Sequence, residues 1–506
     1  MKKGDIMEGI VQSLEFPNRG KVKAFTPEGE EVTVKVKNVL PGQKISFRLT
    51  KKKNGNLEGN CLEVLEKSPN ECEPDCPHFS VCGGCAYRNL PYKEQVKLKE
   101  SQVLKLLSPV LADEDYSIGS VYEGVFESPE IEGYRNKMEF SFGDEYLDGP
   151  LSLGLHKRGS MYDIVPVTEC RIIDEDYRKI LRFTLEFFRE RGVTFFHRVR
   201  HTGYLRHLLV RKSKKYGEIL VALVTTSQIA FNEGATVLPE ESVLNAFLDG
   251  LKALELTGTL HAVCHTVNDS VADTVINERT DLLYGESFIH EDLLGLKFNI
   301  SQFSFFQTNS LGAEVLYGKV REFLLRDTKE GGTIYDLYSG TGTIAQLMAP
   351  VADKVVGVEI VEEAVEAAKE NAALNGLENC DFIAGDVLKV LDDLTEKPDS
   401  IILDPPRDGI HPKALPKILN YGVEKMVYVS CKPTSLARDL VDIMKAGYRP
   451  TGICMVDMFP GTAHIEVVSL LQRMSNTRER TITLDVEMED YHRIKNRTEV
   501  TADATK

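Results

Sequence analysis

A cysteine follows a short apolar run near the C-terminal end of the chain. Val427–Pro433 reads Val-Tyr-Val-Ser-Cys-Lys-Pro, so Cys431 lies where a predicted strand ends, just before a helix predicted over Ser435–Ala446. A thiol near a helix N-terminus has a lowered pKa and a larger thiolate fraction. Most buried cysteines are inert small apolar residues, and it is the position of Cys431 that predicts a nucleophile.

A second group of chemically useful residues consists of acids at the ends of predicted strands. The glycine-rich loop Asp336–Thr343 lies between a strand and a helix, Glu359 ends the next strand, and Asp386 and Asp404 close two more. An acid about twenty residues after such a loop is placed to bind ribose hydroxyls, and ligands of open α/β sheets bind at the carboxyl ends of the strands. These residues therefore predict a nucleotide-type site.

The residues around this loop distinguish between two classes of ligand. Residues 340–345 read Gly-Thr-Gly-Thr-Ile-Ala, and because alanine can replace the last glycine of a dinucleotide fingerprint, the motif does not exclude NAD. Asp404-Pro405-Pro406 at the end of the fourth strand favours methyl transfer instead. Glu466, between the last two predicted strands, is a candidate general base, although a lone acid at a strand edge is more often only solvated.

The cysteines are unevenly distributed. Of the ten in the chain, four fall within fourteen residues, which indicates a metal or cluster site. The spacing of Cys72, Cys76, Cys82 and Cys85 is compatible with a self-contained four-cysteine zinc site. We expect no disulfide framework, because the chain starts without an apolar signal region and the cytosol keeps thiols reduced.

The hydrophobic pattern changes along the chain and predicts a multidomain α/β protein. Residues 1–66 contain short strands separated by turns, which predicts a small OB-like β-barrel. Residues 67–300 mix strands and helices and predict a central α+β domain. Residues 301–474 alternate strands with amphipathic helices and predict a Rossmann-like doubly wound sheet. Residues 475–506 form a polar C-terminal extension.

The distribution of charge is more informative than its total. A formal net charge of −16 argues mildly against a nucleic-acid partner, yet Lys44–Lys53 and Arg189–Lys215 are strongly basic. Such stretches beside a small barrel suit RNA, although a charge run is often only a solvated face. Since no stretch of the chain approaches ~18 consecutive apolar residues, we expect a cytoplasmic protein without a membrane span.

Taken together, these segments resemble the RNA 5-methyluridine methyltransferases, specifically the iron–sulfur branch that carries an N-terminal TRAM barrel and modifies 23S rRNA. The similarity runs from the barrel to about residue 473. The matching motifs are Cys76–Cys85, Tyr134–Lys137, Val167–Cys170, Phe306–Asn309, Asp404–Arg407, Ser430–Cys431 and His464–Glu466.

The resemblance implies roles for individual residues. It implies Cys431 as the nucleophile and Glu466 as the base. It implies that six residues contact S-adenosylmethionine (SAM): Gln307, Tyr338, Thr343, Glu359, Asp386 and Asp404. It implies that four thiolates hold a [4Fe–4S] cluster, with Cys72 a bystander: Cys76, Cys82, Cys85 and Cys170. Position 343 is Thr where some relatives have Asn.

The implied reaction is methylation of carbon 5 of uracil in 23S rRNA by a monomeric enzyme with no membrane partner. Carbon 5 is a poor nucleophile, and addition of a thiolate to carbon 6 converts it into an enolate equivalent that can accept a methyl group. The adduct still carries the carbon-5 proton, which a base must remove before the thiolate leaves.

Three alternatives remain at this point. The RNA substrate could be tRNA rather than rRNA. An amino-group RNA methyltransferase would carry an aromatic residue where Arg407 stands, and it would need no cysteine nucleophile. A non-catalytic RNA-binding protein would leave Cys431, Glu466 and the acids at the sheet edge without a purpose.

Overall fold

The structure, a computed structural model, describes residues 1–53, 55–112, 116–272, 276–327, 330–394 and 396–474. The predicted C-terminal extension, 475–506, lies outside the described residues. Within the described ranges, every helix is too short or too polar to cross a lipid bilayer.

Five strands at the N-terminus close into a barrel in the order β1-β2-β3-β5-β4, with β4 pairing back onto β1. Alternate residues point inwards, so that Val11, Val22, Val34 and Phe47 form its core. This confirms the predicted barrel. The strands are β1 (Ile6–Glu15), β2 (Arg19–Phe25), β3 (Glu31–Lys37), β4 (Lys44–Lys53) and β5 (Asn56–Glu66).

The segment after the barrel carries the clustered cysteines and then forms a long helix, α1 (Tyr92–Leu111). Buried side chains recur along α1 every three or four residues, at Val96, Lys99, Val103 and Leu107, as expected for a helix with one buried face. A lysine therefore occupies a position in the buried stripe. A short strand, β6 (Tyr122–Phe126), follows.

The central region is built on a seven-stranded sheet of order β13-β12-β11-β10-β7-β8-β9, against which two helices pack. The mixture of strands and helices that we predicted for this part of the chain is confirmed here. The elements are β7 (Lys137–Asp144), β8 (Leu151–His156), β9 (Ile164–Val165), α2 (Glu175–Glu190), β10 (Leu205–Lys212), β11 (Glu218–Thr225), α3 (Glu240–Lys252), β12 (Thr259–Val267) and β13 (Arg279–Gly285).

A hairpin and a helix lead into the last region, an eight-stranded sheet of order β18-β17-β16-β19-β20-β22-β21-β6. The hairpin and helix are β14 (Phe288–Leu293), β15 (Leu296–Ser301) and α4 (Ser310–Leu325). The alternating elements that follow are β16 (Thr333–Leu337), α5 (Thr343–Met348), β17 (Lys354–Glu359), α6 (Glu362–Leu374), β18 (Cys380–Ala384), α7 (Val387–Asp393), β19 (Ser400–Leu403), α8 (Ala414–Asn420), β20 (Lys425–Ser430), α9 (Pro433–Lys445), β21 (Tyr448–Val456) and β22 (Glu466–Arg473).

The pairing within this sheet confirms the predicted doubly wound arrangement. Strands β16 to β20 are parallel, and the strand order reverses between β16 and β19, which is where ligands bind in such sheets. β22 runs antiparallel to both β20 and β21. β6 pairs parallel with β21 at the far edge, so a strand that precedes the central sheet in the sequence completes the last one.

Candidate active site

The glycine-rich loop after β16 adopts backbone angles that favour glycine. Gly340 and Gly342 have φ angles of 55° and 69°, and a Cβ atom on Gly342 would lie 2.5 Å from Cε1 of Phe382. The backbone N–H of Gly340 donates to Oε2 of Glu359 (3.0 Å). The loop thus brings the start of α5 and the end of β17 to the same edge of the sheet.

Two buried polar atoms at this edge have unsatisfied hydrogen-bonding capacity within the described part of the chain. Oδ1 of Asp336 and Oγ of Ser339 are buried and have no hydrogen-bond partner among the described residues. Burial raises the pKa of Asp336 well above its ordinary value, and the charge of Asp404 adds to the effect. Burial, followed by the charge of Asp386, raises the pKa of Tyr338 to about 12. Unpaired polar atoms of this kind fit a ligand that carries hydroxyl and amino groups.

The other residues that the resemblance assigns to SAM lie near this loop. Thr343 is the buried first residue of α5, and its Oγ1 lies 3.4 Å from Oγ1 of Thr341. Asp386 caps α7, where its Oδ1 accepts a hydrogen bond from the backbone N–H of Leu388 (3.0 Å). The carbonyl of Gln307 accepts a hydrogen bond from Nδ2 of Asn136 (2.8 Å), which ties the central region to this site.

Tyr317 is a residue of the candidate site that the sequence did not predict. It is buried on α4, where it hydrogen-bonds the side chain of Gln307 and is influenced by the charges of Asp404 and Glu466. Its pKa is raised well above the ordinary value, mainly by burial. An aromatic residue in the apolar stripe of a helix looks like an ordinary core residue, so the sequence carried no signal for it.

Strand pairing brings the candidate catalytic residues together. Cys431 directly follows β20, Glu466 opens β22, and these strands are antiparallel neighbours in which Ser430 pairs with Val467. Asp404 directly follows β19, the neighbour of β20 on its other side. Three reactive side chains therefore lie at the ends of three adjacent strands.

The predicted low pKa of Cys431 is wrong. Burial raises its pKa to about 11, and the charges of Glu466 and Asp404 add to the effect while Arg407 opposes it. Cys431 does stand two residues before the start of α9, but desolvation of the thiolate outweighs any effect of the helix N-terminus.

The two carboxyl groups beside Cys431 also have raised pKa values. Burial, then the charge of Asp404, raises the pKa of Glu466 to about 8 in spite of Arg407, and Glu466 is only 4% exposed. Burial raises the pKa of Asp404 to about 7. Side chains with pKa values near neutrality are suited to accepting and releasing protons during a reaction.

A separate cavity collects four cysteines from two parts of the chain. Cys76, Cys82, Cys85 and Cys170 line it together with apolar residues that include Leu155, Val167 and Ile172. Burial raises the pKa of Cys85 to about 12 and that of Cys170 to about 11. Cys72 lies elsewhere, where its backbone N–H donates to the carbonyl of Asn89 (2.9 Å).

The basic stretch Arg189–Lys215 is largely engaged within the protein. Arg211 is buried and donates to the carbonyls of Gln302 and Ser304, and Arg206 is buried and donates to carbonyls in the loop after β12. Lys212 pairs with two acids at the start of α2. For these three side chains the predicted contact with phosphates is wrong, because the folded protein uses their charges itself.

The chain is similar to known proteins over most of its length. The family model described as tRNA (uracil-5-)-methyltransferase matches residues 285–474. An uncharacterized RNA methyltransferase of Caldanaerobacter subterraneus is 46% identical over 473 residues, which cover 94% of this chain and 100% of that protein. Another, of Chlorobaculum tepidum, is 34% identical over 493 residues, covering 93% of this chain and 97% of that protein.

A solved structure has the same fold. The tRNA (uracil-54, C5)-methyltransferase of Pyrococcus abyssi, in complex with S-adenosyl-L-homocysteine, superposes with a TM-score of 0.68 at 25% identity, covering 92% of this chain and 100% of that one. With the relatives and the arrangement of the sheet edge, this similarity decides the family. The chain belongs to the SAM-dependent RNA uracil-5-methyltransferases.

Proposed function

We propose that this enzyme methylates carbon 5 of a uridine through a covalent adduct between Cys431 and carbon 6 of the base, with Glu466 as the general base. The observation that carries the proposal is the meeting of Cys431, Glu466 and Asp404 at the ends of three adjacent strands. A nucleophile beside a carboxyl group with a raised pKa is the arrangement that this chemistry needs.

The reaction begins with loss of the thiol proton of Cys431, because the raised pKa keeps the thiol protonated at neutral pH. Asp404, whose charge acts on Cys431, has a pKa of about 7, so its ionised form is present at neutral pH and can accept that proton. The Sγ–C6 bond then forms, and the electron pair of the C5–C6 double bond moves into the ring as an enolate. After methylation, Glu466 takes the carbon-5 proton, the double bond re-forms and the Sγ–C6 bond breaks.

SAM, when bound, supplies the electrophilic methyl group. We propose that it is held at the carboxyl edge of the sheet by the six residues named above. Glu359 would accept hydrogen bonds from the ribose hydroxyls, as an acid at the end of the second strand does in this fold. Asp336 Oδ1 and Ser339 Oγ at the same edge, which lack a hydrogen-bond partner in the described part of the chain, support a ligand there.

We also propose a [4Fe–4S] cluster on Cys76, Cys82, Cys85 and Cys170. The four thiols line one cavity with apolar walls, which matches the four-thiolate ligation of such clusters. The self-contained zinc site is less well supported, because Cys72 would have to leave its place beside Asn89. The methylation itself involves no change of oxidation state, so we assign the cluster a structural role.

The substrate that we propose is 23S rRNA, bound in the cytoplasm by a monomer. The cysteine motif and the barrel, which resembles a TRAM domain, support this branch of the family. The basic stretch Lys44–Lys53 of the barrel stays a prediction as an RNA contact. A tRNA substrate is the second candidate, because the solved structure of similar fold is that of a tRNA methyltransferase.

The covalent route is tested by the reaction intermediate that accumulates in each variant. Cys431→Ala should form neither adduct nor product. Glu466→Gln should attack and methylate, then stall as a protein–RNA conjugate that survives denaturing electrophoresis, because loss of a general base typically costs about 10²–10⁴-fold in rate. Glu424→Gln is a matched control, since Glu424 is an exposed acid just before β20, at the opposite end of that strand from Cys431.

Two results would contradict this route. A conjugate formed by Cys431→Ala would mean that another nucleophile acts, and normal turnover by Glu466→Gln would mean that another residue is the base. The choice of RNA is tested separately, by mapping 5-methyluridine with mass spectrometry in rRNA and tRNA from a deletion strain. Loss confined to tRNA would refute the 23S assignment without affecting the mechanism.

A further inference from the structure

The loop that connects β21 to β22, residues 457–465, ends directly before Glu466. We call it the base loop. Its Gly461 is held by the segment that carries the clustered cysteines: the backbone N–H groups of Ala86 and Tyr87 both donate to the carbonyl of Gly461 (2.8 and 2.9 Å). The N–H of Gly461 donates in turn to Oε1 of Gln95 on α1 (2.8 Å).

A second attachment of the base loop is a fully buried ion pair. Nζ of Lys99 lies 2.7 Å from Oδ1 of Asp457 and donates to the carbonyl of Phe459 (3.0 Å). Neither Lys99 nor Asp457 has any exposed side-chain surface. A buried ion pair holds its two side chains firmly in place, because separating them would leave an unpaired charge in the protein interior.

Tyr134 and Asn309, which belong to two of the motifs found in the sequence, also contact the base loop. The hydroxyl of Tyr134 donates to the carbonyl of Pro460 (3.0 Å), and Nδ2 of Asn309 donates to the carbonyl of Met458 (2.9 Å). Packing is equally close, since a Cβ atom on Gly461 would lie 2.7 Å from Cδ of Arg88. The loop before Glu466 is therefore held by several segments of the chain, one of which is the cysteine-bearing segment.

We propose that Lys99 is a positioning residue for the reaction. Together with Gln95, it makes α1 and the cysteine-bearing segment hold the base loop, and so hold the carboxyl group of Glu466 at the carbon-5 proton. Cys431 directly follows β20, a strand that the base loop does not adjoin in sequence, so its attack does not depend on this loop in the same way. The inference rests on the proposed role of Glu466. It predicts that loosening the base loop slows proton removal and leaves the first covalent step intact.

The test uses the full-length protein and two variants that loosen the loop in different ways. Gln95→Leu removes the hydrogen bond to Gly461. Lys99→Met combined with Asp457→Asn removes both charges of the pair, because the single change at Lys99 would leave a buried carboxylate and could prevent folding. Lys97→Met is the matched control, because Lys97 lies on the same helix but is 69% exposed and forms a surface ion pair with Glu94.

Two rates are compared for each variant. Trapping on RNA that contains 5-fluorouridine reports attack and methylation, because the fluorine cannot leave as a proton does. Turnover on ordinary RNA also requires proton removal. A displacement of about 1 Å can cost about 10²-fold in rate, so we expect turnover to fall by that order while trapping stays within about twofold. The conjugate should accumulate, and deuterium at carbon 5 should slow the variants more than the wild type.

Each other outcome overturns the inference. Equal losses in trapping and turnover would mean that the contacts only stabilise the fold. Unchanged turnover would mean that the base loop holds its position without them. If the wild-type enzyme itself is not trapped by 5-fluorouridine, the covalent mechanism fails and this inference fails with it. Normal trapping of the wild type with unchanged turnover in the variants would refute the role of Lys99 alone.

Discussion

The thiol of the proposed active site and those of the cysteine cavity have similarly high pKa values, but their neighbours differ. The pKa is raised by burial to about 11 in Cys431, to about 11 in Cys170 and to about 12 in Cys85. Cys431 lies beside the carboxyl groups of Glu466 and Asp404, whereas the cavity thiols lie beside one another, His78 and apolar side chains. A single thiol beside carboxyl groups can ionise during a reaction, whereas a group of four thiols ionises when a metal binds.

The largest effect that we expect separates these two regions completely. Cys431→Ala should lower methylation by about 10⁴–10⁶-fold, as is typical when a covalent catalyst is removed, and should leave the iron content unchanged. Cys170→Ala should lower the iron content and retain measurable activity in the molecules that stay folded. Iron analysis and an RNA methylation assay on the same preparations check both. Loss of iron in Cys431→Ala would show that the two regions are not independent.

The pH dependence of turnover should report the titration of the Glu466 carboxyl group. Glu466 accepts a proton only when it is ionised, and its pKa is about 8. Where proton removal limits the rate, turnover should rise about tenfold per pH unit below pH 7 and level off above about 9. Arg407→Gln should move the midpoint upwards, because Arg407 lowers the pKa of Glu466. A flat profile between pH 6 and 9 would contradict this role of Glu466.

The carboxyl group of Glu466 should also lower the free energy of unfolding at high pH. The pKa of Glu466 in the folded protein lies above the ordinary value of 4.5. The protonated carboxyl group therefore stabilises the fold fully below about pH 4.5, and this stabilisation is lost as the pH rises through about 8. Relative to the wild type, Glu466→Gln should therefore gain about 1–3 kcal/mol in free energy of unfolding between pH 5 and pH 9. Urea titrations at the two pH values measure it, with Glu424→Gln as the control that should gain nothing.

The smallest expected effect concerns Cys72, which is the cysteine that distinguishes the two kinds of metal site. Cys72→Ala should leave the metal content and the absorption of anaerobically purified protein unchanged, with about four irons per chain. A zinc site built from Cys72, Cys76, Cys82 and Cys85 would instead give colourless protein with one zinc, which the same substitution would release.

The positions of the reactive residues could be predicted from the sequence, because they follow strands whose pattern is local and strong. Strand ends place Asp404 and Cys431 at one edge whatever the rest of the chain does. The pKa of Cys431 could not be predicted in this way, because the helix that follows is a local feature whereas burial depends on distant packing. Arg211 illustrates the same limit, since its partners are carbonyls about ninety residues further along the chain.

Strand β6 has a consequence for the synthesis of the protein. Val125 pairs with Met455, which leaves the ribosome 330 residues later. At ~5–20 residues per second, the partner strand is made roughly 15–65 s after β6. Throughout that time the backbone N–H and C=O groups of β6 lack the strand with which they pair in the folded protein. An unpaired strand edge of this kind can pair with a wrong strand. Translation speed and chaperone access should therefore influence the yield of active enzyme, and expression of residues 301–474 alone would produce a sheet that lacks its edge strand.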